Sequence, residues 1–386
     1  MGRDSNYLRI GAVSTHSRPQ PDHAEAAIRQ EGESLGPWHL EVEVTPTLTT
    51  EALRGPTIDR IKGFYDPAPG FKGILERLFP AGLEGRSVLD CACNNGAFLY
   101  AAKELGAGRC LGTDVRELWI EQARFLQRHR TGPSDDMRFD VVDLYELPAL
   151  DLEPFDLTVF SGVFYHLPDP IRGLQIAADL TREVIYIAST TLAGREDGML
   201  APGQETTTEP LSGVYGLQWY PTGPGVFEPV MRWLDFPHTR TIDWWSPDDS
   251  AAELEVTQVF ASRDASVVER WDAVSPKGFD GAVEWVKVLV PPGGTVLVAG
   301  GAEAPLHHLE RRTAAFPPDV DENAGSDRTP DGELIDALER LRADAAYLLV
   351  PTEAFQWLDA HAEFGDHLKR YQVYVSDPDR CILYRL

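Results

Sequence analysis

Apolar and polar positions change period repeatedly along the chain, and each change predicts an element. Residues His39 to Thr45 alternate as a half-buried strand does, and a polar turn leading to a helix follows. Within residues 86–115, Val88-Leu89-Asp90 reads as the end of a buried strand. Cys91 to Gly96 is a tight turn of small residues, Ala97 to Leu105 an apolar-rich helix, and Cys110 to Val115 a second strand closed by Asp114. A helix from Glu117 to Arg128 carries Leu118, Ile120, Ala123, Phe125 and Leu126 toward a sheet. Strands are predicted at Met137–Val142, Asp156–Phe160 and Glu183–Ser189, with a helix at Ile171–Leu180 before the last of them. Strands alternating with helices predict a parallel sheet covered on both faces.

The pattern changes between Thr190 and Pro237. Gly, Pro and Thr are interleaved there with Tyr215, Trp219, Tyr220, Phe227 and Trp233, which predicts a long loop of functional importance and a helix at Gly225–Leu234. Thr239–Trp245 and Val256–Ser262 read as antiparallel strands closing the sheet. Beyond a polar stretch near residue 265 a second unit is expected. It has a helical linker, strands at Thr295–Ala299 and Ala346–Pro351, helices at Gly332–Arg342 and Ala354–Arg370, and a terminal hairpin of Gln372–Val375 with Cys381–Tyr384. The division is an arm over 1–36, a domain over 37–265 and a small α/β domain over 266–386.

The 86–115 segment carries the chemistry. A backbone passing close to a nucleotide-like ligand needs small residues at the turn after the first strand. An acid closing the second strand is placed to accept the hydroxyl protons of a ribose. Asp90-Cys91-Ala92-Cys93-Asn94-Asn95-Gly96 resembles motif I of the class I S-adenosylmethionine-dependent methyltransferases, with Ala92 and Asn94 where two glycines are usual. Asn tolerates the left-handed backbone that a glycine would otherwise supply. Phe164-Tyr165-His166-Leu167-Pro168-Asp169-Pro170 and Trp219-Tyr220-Pro221-Thr222 are similar to elements of the branch containing the tRNA wobble-uridine carboxymethyltransferase, as is the lead-in around Trp38.

The resemblance implies an α/β fold with a doubly wound, seven-stranded Rossmann-like methyltransferase sheet, followed by the second, smaller α/β domain. It implies S-adenosylmethionine as cofactor, held by Asp90, Cys91, Ala92, Cys93, Asn95 and Gly96, with Asp114 and Val115 at the ribose, Asp143 and Leu144 at the adenine, and Ser161 beside them. His166 and Tyr165 are the catalytic candidates, and Trp38, Trp219, Tyr220 and Thr222 the substrate-binding ones. A neutral histidine accepts a proton near physiological pH, as methylation of a hydroxyl or amine requires. Because every expected cofactor contact precedes residue 170, the second unit is expected to be dispensable for cofactor binding.

Charge narrows the acceptor. With 61 acidic against 35 basic residues, the formal net charge of −26 opposes a polyphosphate partner, so a small-molecule substrate such as a natural product or sugar is expected and nucleic acid is disfavoured. A transferase acting on the tRNA wobble uridine, using carboxy-S-adenosylmethionine, is the enzymatic alternative. Arg60, Lys62 and Arg232 are the available counterparts for its extra carboxylate. A non-catalytic S-adenosylmethionine-binding module is the other alternative. The Cys91-x-Cys93 pair has no second pair at zinc spacing, and Asp319 to Asn323 lacks the glycine of a calcium loop, so no metal is expected. The start, MGRDSNYLRI, has no signal-peptide core, and no apolar run approaches a membrane span. A cytoplasmic protein without membrane attachment is expected, and self-association into a homo-oligomer stays open.

Overall fold

The strand–turn–helix–strand segment lies in the interior of the largest sheet among the described residues. The structure is a computed structural model and describes residues 23–54, 67–192, 198–245, 254–274, 278–291, 293–299, 311–317, 329–377 and 380–386. It begins with α1 (His23–Ser34), the short ribbon of β1 (Glu43–Thr45) and β2 (Leu48–Thr49), and α2 (Ala68–Leu78). The alternation then runs β3 (Val88–Asp90), α3 (Ala97–Glu104), β4 (Cys110–Asp114), α4 (Glu117–His129), β5 (Met137–Val141), β6 (Phe155–Ser161), α5 (Pro170–Asp179) and β7 (Thr181–Leu192). An antiparallel ribbon of β8 (Leu200–Gln204) and β9 (Leu217–Pro221) precedes α6 (Phe227–Trp233), β10 (His238–Trp245) and β11 (Leu254–Ser262).

Among the described residues this sheet has seven strands in the order β10-β11-β7-β6-β3-β4-β5, with β11 antiparallel to both of its neighbours. Successive residues of β3 point to opposite faces. Val88 joins the core that includes Leu99, Phe125 and Tyr186, and Leu89 the one that includes Phe160, Leu174 and Phe227. Burial on both faces explains the near-continuous apolar run of each parallel strand.

The second unit comprises α7 (Ala265–Val274), α8 (Gly278–Leu289), β12 (Thr295–Ala299), β13 (Arg312–Phe316), α9 (Asp331–Leu341), β14 (Tyr347–Pro351), α10 (Phe355–Ala360), α11 (Ala362–Leu368), β15 (Gln372–Asp377) and β16 (Cys381–Arg385). Its strands are ordered β13-β12-β14-β16-β15, parallel through the first three and antiparallel at the β14–β16 and β16–β15 pairings. The fold is α/β throughout, a doubly wound seven-stranded sheet with a smaller α/β unit.

Four expectations change in detail. The alternation of His39 to Thr45 is real, since Leu40, Val42 and Val44 are buried, but only Glu43–Thr45 finds a ladder; Val42 pairs instead with the Thr50 backbone and hydroxyl. The stretch 190–237 is not one loop, because β7 runs on to Leu192 and β8 pairs with β9. The predicted helix Ala354–Arg370 is broken at His361, whose backbone leaves the helical region at φ −118° and ψ 68°. Strand β13 has no sequence signature because only Phe316 of it is buried. Among the described residues no helix is long and apolar enough to cross a membrane.

The two units are tied by polar contacts. The Arg77 guanidinium reaches Glu284 at 3.0 Å and the Trp271 carbonyl at 3.0 Å, while buried Arg311 donates to the carbonyls of Lys287 and Val290 in α8 and its flank and to that of Trp244 in β10. Arg380 donates to the Asp272 carbonyl at 2.8 Å.

Candidate active site

Strand β3 lies between β4 and β6, so the chain leaves it first toward one edge and later returns on the other side. Such a reversal opens a crevice at the carboxyl ends of the central strands. The turn after Asp90 forms one wall. Its Cys93 amide donates to the Thr113 carbonyl at 2.9 Å and its Gly96 amide to the Cys93 carbonyl at 2.7 Å. Asn94 has φ 49° and Gly96 φ 83°, so Asn94 does take the left-handed backbone. Gly96 is required twice over, since a Cβ there would also meet the Phe139 ring at 2.8 Å.

Of the motif residues, Ala92, Cys93 and Asn94 line the crevice. Cys91 turns into the core beside Leu89, and Asn95 turns inward, donating to the Leu40 carbonyl at 2.9 Å and accepting from the Ala97 amide at 3.2 Å. Asn95 therefore fastens the turn to the segment after Trp38. Burial pushes the fully enclosed Asp90 carboxyl up to about 8, only partly offset by the Ala92 amide. Asp114 lines the crevice, accepting from the amides of Asn94 (3.1 Å) and Arg116 (3.0 Å), and burial raises its carboxyl to about 6.

The opposite wall follows β6. Ser161, Gly162 and Val163 lead into the turn Phe164–His166, where Phe164 is buried against Phe227 and Tyr165 and His166 line the cavity. His166 Nδ1 lies 2.8 Å from Glu205 Oε2, and the Gly213 amide points at the same nitrogen at 3.1 Å. Protonated Nδ1 donates to Glu205; unprotonated, it accepts from Gly213. Glu205 in turn accepts from Gln218 Nε2 at 2.8 Å. Burial pulls the His166 pKa below its ordinary value, with Glu205 acting the other way, so the imidazole is neutral near pH 7. With Nδ1–H directed at the carboxylate, the Nε2 lone pair is left to take a proton.

The cavity between these walls measures about 980 Å³, large for a single drug-sized ligand. Several candidates lie elsewhere. Trp38 is completely buried, its indole N–H donates to the Gly32 carbonyl at 2.9 Å and its ring packs on Phe125; it is a core anchor and does not line the cavity. Trp219 donates to the Pro168 carbonyl at 3.0 Å, Tyr220 to Gln218 at 3.0 Å while stacking on Tyr165, and the Thr222 hydroxyl binds the Met199 backbone. These three hold the β8–β9 ribbon against the site and do not line it. Asp143 caps the turn after β5 through the Tyr145 amide at 2.9 Å and accepts from the Tyr215 hydroxyl; Leu144 is core. Neither lines the cavity, whereas Val115 and Ser161 do. Arg60 and Lys62 fall outside the described residues, and Arg232 is exposed and paired with Glu228 at 2.6 Å.

Sequence reasoning missed Glu205, 39 residues from its histidine, and Arg116, whose guanidinium donates to the carbonyls of Thr207, Glu209 and Ser212 and pins the loop between β8 and β9 over the cavity. The only signal was their position, Arg116 two residues past the acid and Glu205 inside the Gly/Pro/Thr-rich stretch. It also missed the contribution of Asp243, Glu284 and Lys287 to the lining.

Residues 83–209 match the family model described as a methyltransferase domain. A tRNA U34 carboxymethyltransferase of Alteromonas mediterranea is 31% identical over 168 residues, covering 42% of this chain and 48% of that protein. The enzyme of the same name from Pseudomonas putida is 32% identical over 165 residues, with the same two coverages. The chain thus spans about half the length of the curated relatives it matches. Among solved structures, the N-terminal domain of EvdMO1 in the presence of SAH and D-fucose is 19% identical with a TM-score of 0.48, covering 62% of this chain and 96% of that one.

Proposed function

We propose, from a chain whose residues 83–209 match a methyltransferase domain, that the protein is an S-adenosylmethionine-dependent enzyme that methylates a hydroxyl, or less favourably an amine, of a small molecule. The residues present fit the cofactor. Ala92, Cys93 and Asn94 offer small side chains and a close backbone, the Asp114 carboxylate suits ribose hydroxyls, and Val115 with Trp119 gives an apolar surface. The bound cofactor supplies an electrophilic methyl group on a sulfonium. The protein's part is to hold the acceptor in line, exclude water and remove a proton.

The observation that carries this reading is the His166–Glu205 pair at the cavity wall. A neutral imidazole whose Nδ1 is engaged by a buried carboxylate presents Nε2 as a general base in one tautomer. Glu205 orients the ring and stabilises the imidazolium formed as the acceptor proton is lost. The cavity lining supports a small acceptor. Its acids (Asp114, Asp243, Glu284) and its bases (Arg77, Arg116, Lys287) balance, so a polyanion gains no net attraction from it.

The names of the relatives favour a second reading, carboxymethyl or methyl transfer to the wobble uridine of tRNA. One experiment separates the two. The full chain is incubated with methyl-labelled S-adenosylmethionine, and in parallel with the carboxylated cofactor, in a cell extract divided into small-molecule and tRNA fractions. Label in the small-molecule fraction is expected. Label confined to tRNA supports the second reading, and tight cofactor binding without label in either fraction supports a non-catalytic module.

A further inference from the structure

The lining of the cavity also includes residues outside motif I, Asp114 and the His166 turn. Among them are Arg77 of α2, Asp243 of β10, Gln258 of β11, Trp271 of α7, and Glu284 and Lys287 of α8. Four of these six residues carry charge, and they do so as opposite pairs. Arg77 meets Glu284 at 3.0 Å, and Lys287 Nζ lies 3.9 Å from Asp243 Oδ2. Arg77 is held in place by its own contacts, the guanidinium lying 3.7 Å over the Trp271 ring and Nε donating to the Trp271 carbonyl. Asp243 is fixed through Oδ1, which accepts from the Trp244 amide at 2.8 Å.

This pattern selects among ligands. A ligand of net charge, of either sign, is attracted by one member of each pair and repelled by the other. A hydroxyl is both donor and acceptor, so it can donate to a carboxylate and accept from the neighbouring cation without breaking the pair. The Lys287–Asp243 separation is beyond direct hydrogen bonding, and such a gap is bridged by an oxygen that bonds both sides. Gln258, also in the lining, adds an amide.

We propose that this part of the lining is an acceptor-binding site for a neutral, hydroxyl-rich small molecule of monosaccharide size, built jointly by the two units, with Asp243 and Lys287 bracketing one hydroxyl and the Arg77–Glu284 pair another. That the bound molecule is the methyl acceptor rests on the methyl-transfer reading; the binding itself does not. Because Trp271, Glu284 and Lys287 lie beyond residue 265 and beyond the matched segment 83–209, acceptor choice is placed outside the methyltransferase segment.

The test uses the full chain saturated with S-adenosylhomocysteine and saturation-transfer NMR with three probes: a methyl hexopyranoside (neutral), glucosamine (cationic) and uridine 5′-monophosphate (anionic). The pyranoside is expected to receive saturation and the two charged probes to receive less. Lys287→Met and Asp243→Asn are each expected to weaken pyranoside binding at least fivefold while leaving S-adenosylhomocysteine affinity by calorimetry within twofold, which also reports that the variants fold. Should either fail to fold, Glu284→Gln replaces it with the same expectation. Pyranoside binding that is absent, or unchanged in these variants, overturns the proposal, as does preferential binding of the nucleotide. Pyranoside binding that depends on Lys287 without any methyl transfer keeps the site and discards the transfer reading. Transfer to a small molecule that is indifferent to Lys287 and Asp243 does the reverse.

Discussion

The two ends of the cavity are built in opposite ways. At the proposed cofactor end, Ala92, Cys93, Asn94, Asp114, Val115, Arg116 and Trp119 come from one continuous stretch running from the turn after β3 into the first turn of α4, and their positions follow from the geometry of that stretch. At the proposed acceptor end the lining is gathered from α2, β10, β11, α7 and α8, and His166 depends on a carboxylate delivered by a separate ribbon. A locally built end keeps its shape while the rest of the chain varies. An end assembled from remote segments can be retuned by any of them. Changes at the two ends should therefore separate into losses of cofactor affinity and losses of turnover or acceptor binding.

The largest expected effect is at His166. His166→Ala or His166→Gln is expected to lower turnover by roughly 10² to 10⁴ with cofactor affinity nearly unchanged. Its partner gives a sharper readout. Glu205 raises the His166 pKa, so Glu205→Gln is expected to move the acidic limb of the pH–rate profile to lower pH as well as reduce turnover; a carboxylate that only braced the ribbon would leave that limb in place. Next in size is Asp114→Ala, which removes a ribose acceptor of two charge-assisted hydrogen bonds worth on the order of 1.5 to 3 kcal/mol each. Calorimetry with S-adenosylhomocysteine is expected to show at least tenfold weaker binding, and unchanged affinity would sink the assignment. Asp114→Asn, which keeps an acceptor for one of the two amides that Asp114 serves through separate oxygens, is expected to lose less.

The smallest effect concerns stability. Asp90, with its carboxyl pushed by burial from an ordinary 3.8 up to about 8, holds its proton in the folded protein at pH values where the unfolded chain has lost it. The resulting stabilisation is complete below about pH 4 and is lost as pH rises through 8. Asp90→Asn cannot ionise. The decline in Tm between pH 5 and pH 8, followed by circular dichroism, is expected to shrink by at least about 3 °C in that variant. A decline of equal size in both proteins would place the titration elsewhere, with Asp114 the next buried acid to examine.

How much was legible varies by residue. Asn94 at positive φ could be foreseen, because a turn that has lost its glycine must find another residue for the left-handed backbone. Trp38 misled. An aromatic before an alternating segment reads equally as a site residue or as a core residue, and its burial against Phe125 depends on α4, far along the chain. Trp219, Tyr220 and Thr222 misled in the same way, since an aromatic ribbon can face a ligand or clamp a neighbouring turn, and here its side chains clamp. Glu205 was invisible because a single acid in a polar stretch has no period, and a carboxylate acquires meaning only from the histidine it meets.

The sequence by itself determined the alternation that makes a parallel sheet, the small-residue turn after Asp90 and the acid at the end of β4. Each is a matter of neighbouring residues, where strand period, φ tolerance and the one-turn reach from strand to helix leave little freedom. Tertiary structure decided which carboxylate holds His166, which aromatics are core, and how α7 and α8 come to contribute to the lining of the cavity. Those outcomes depend on contacts between segments tens to hundreds of residues apart, set by the summed packing of two sheets and their helices, and no local pattern encodes that sum.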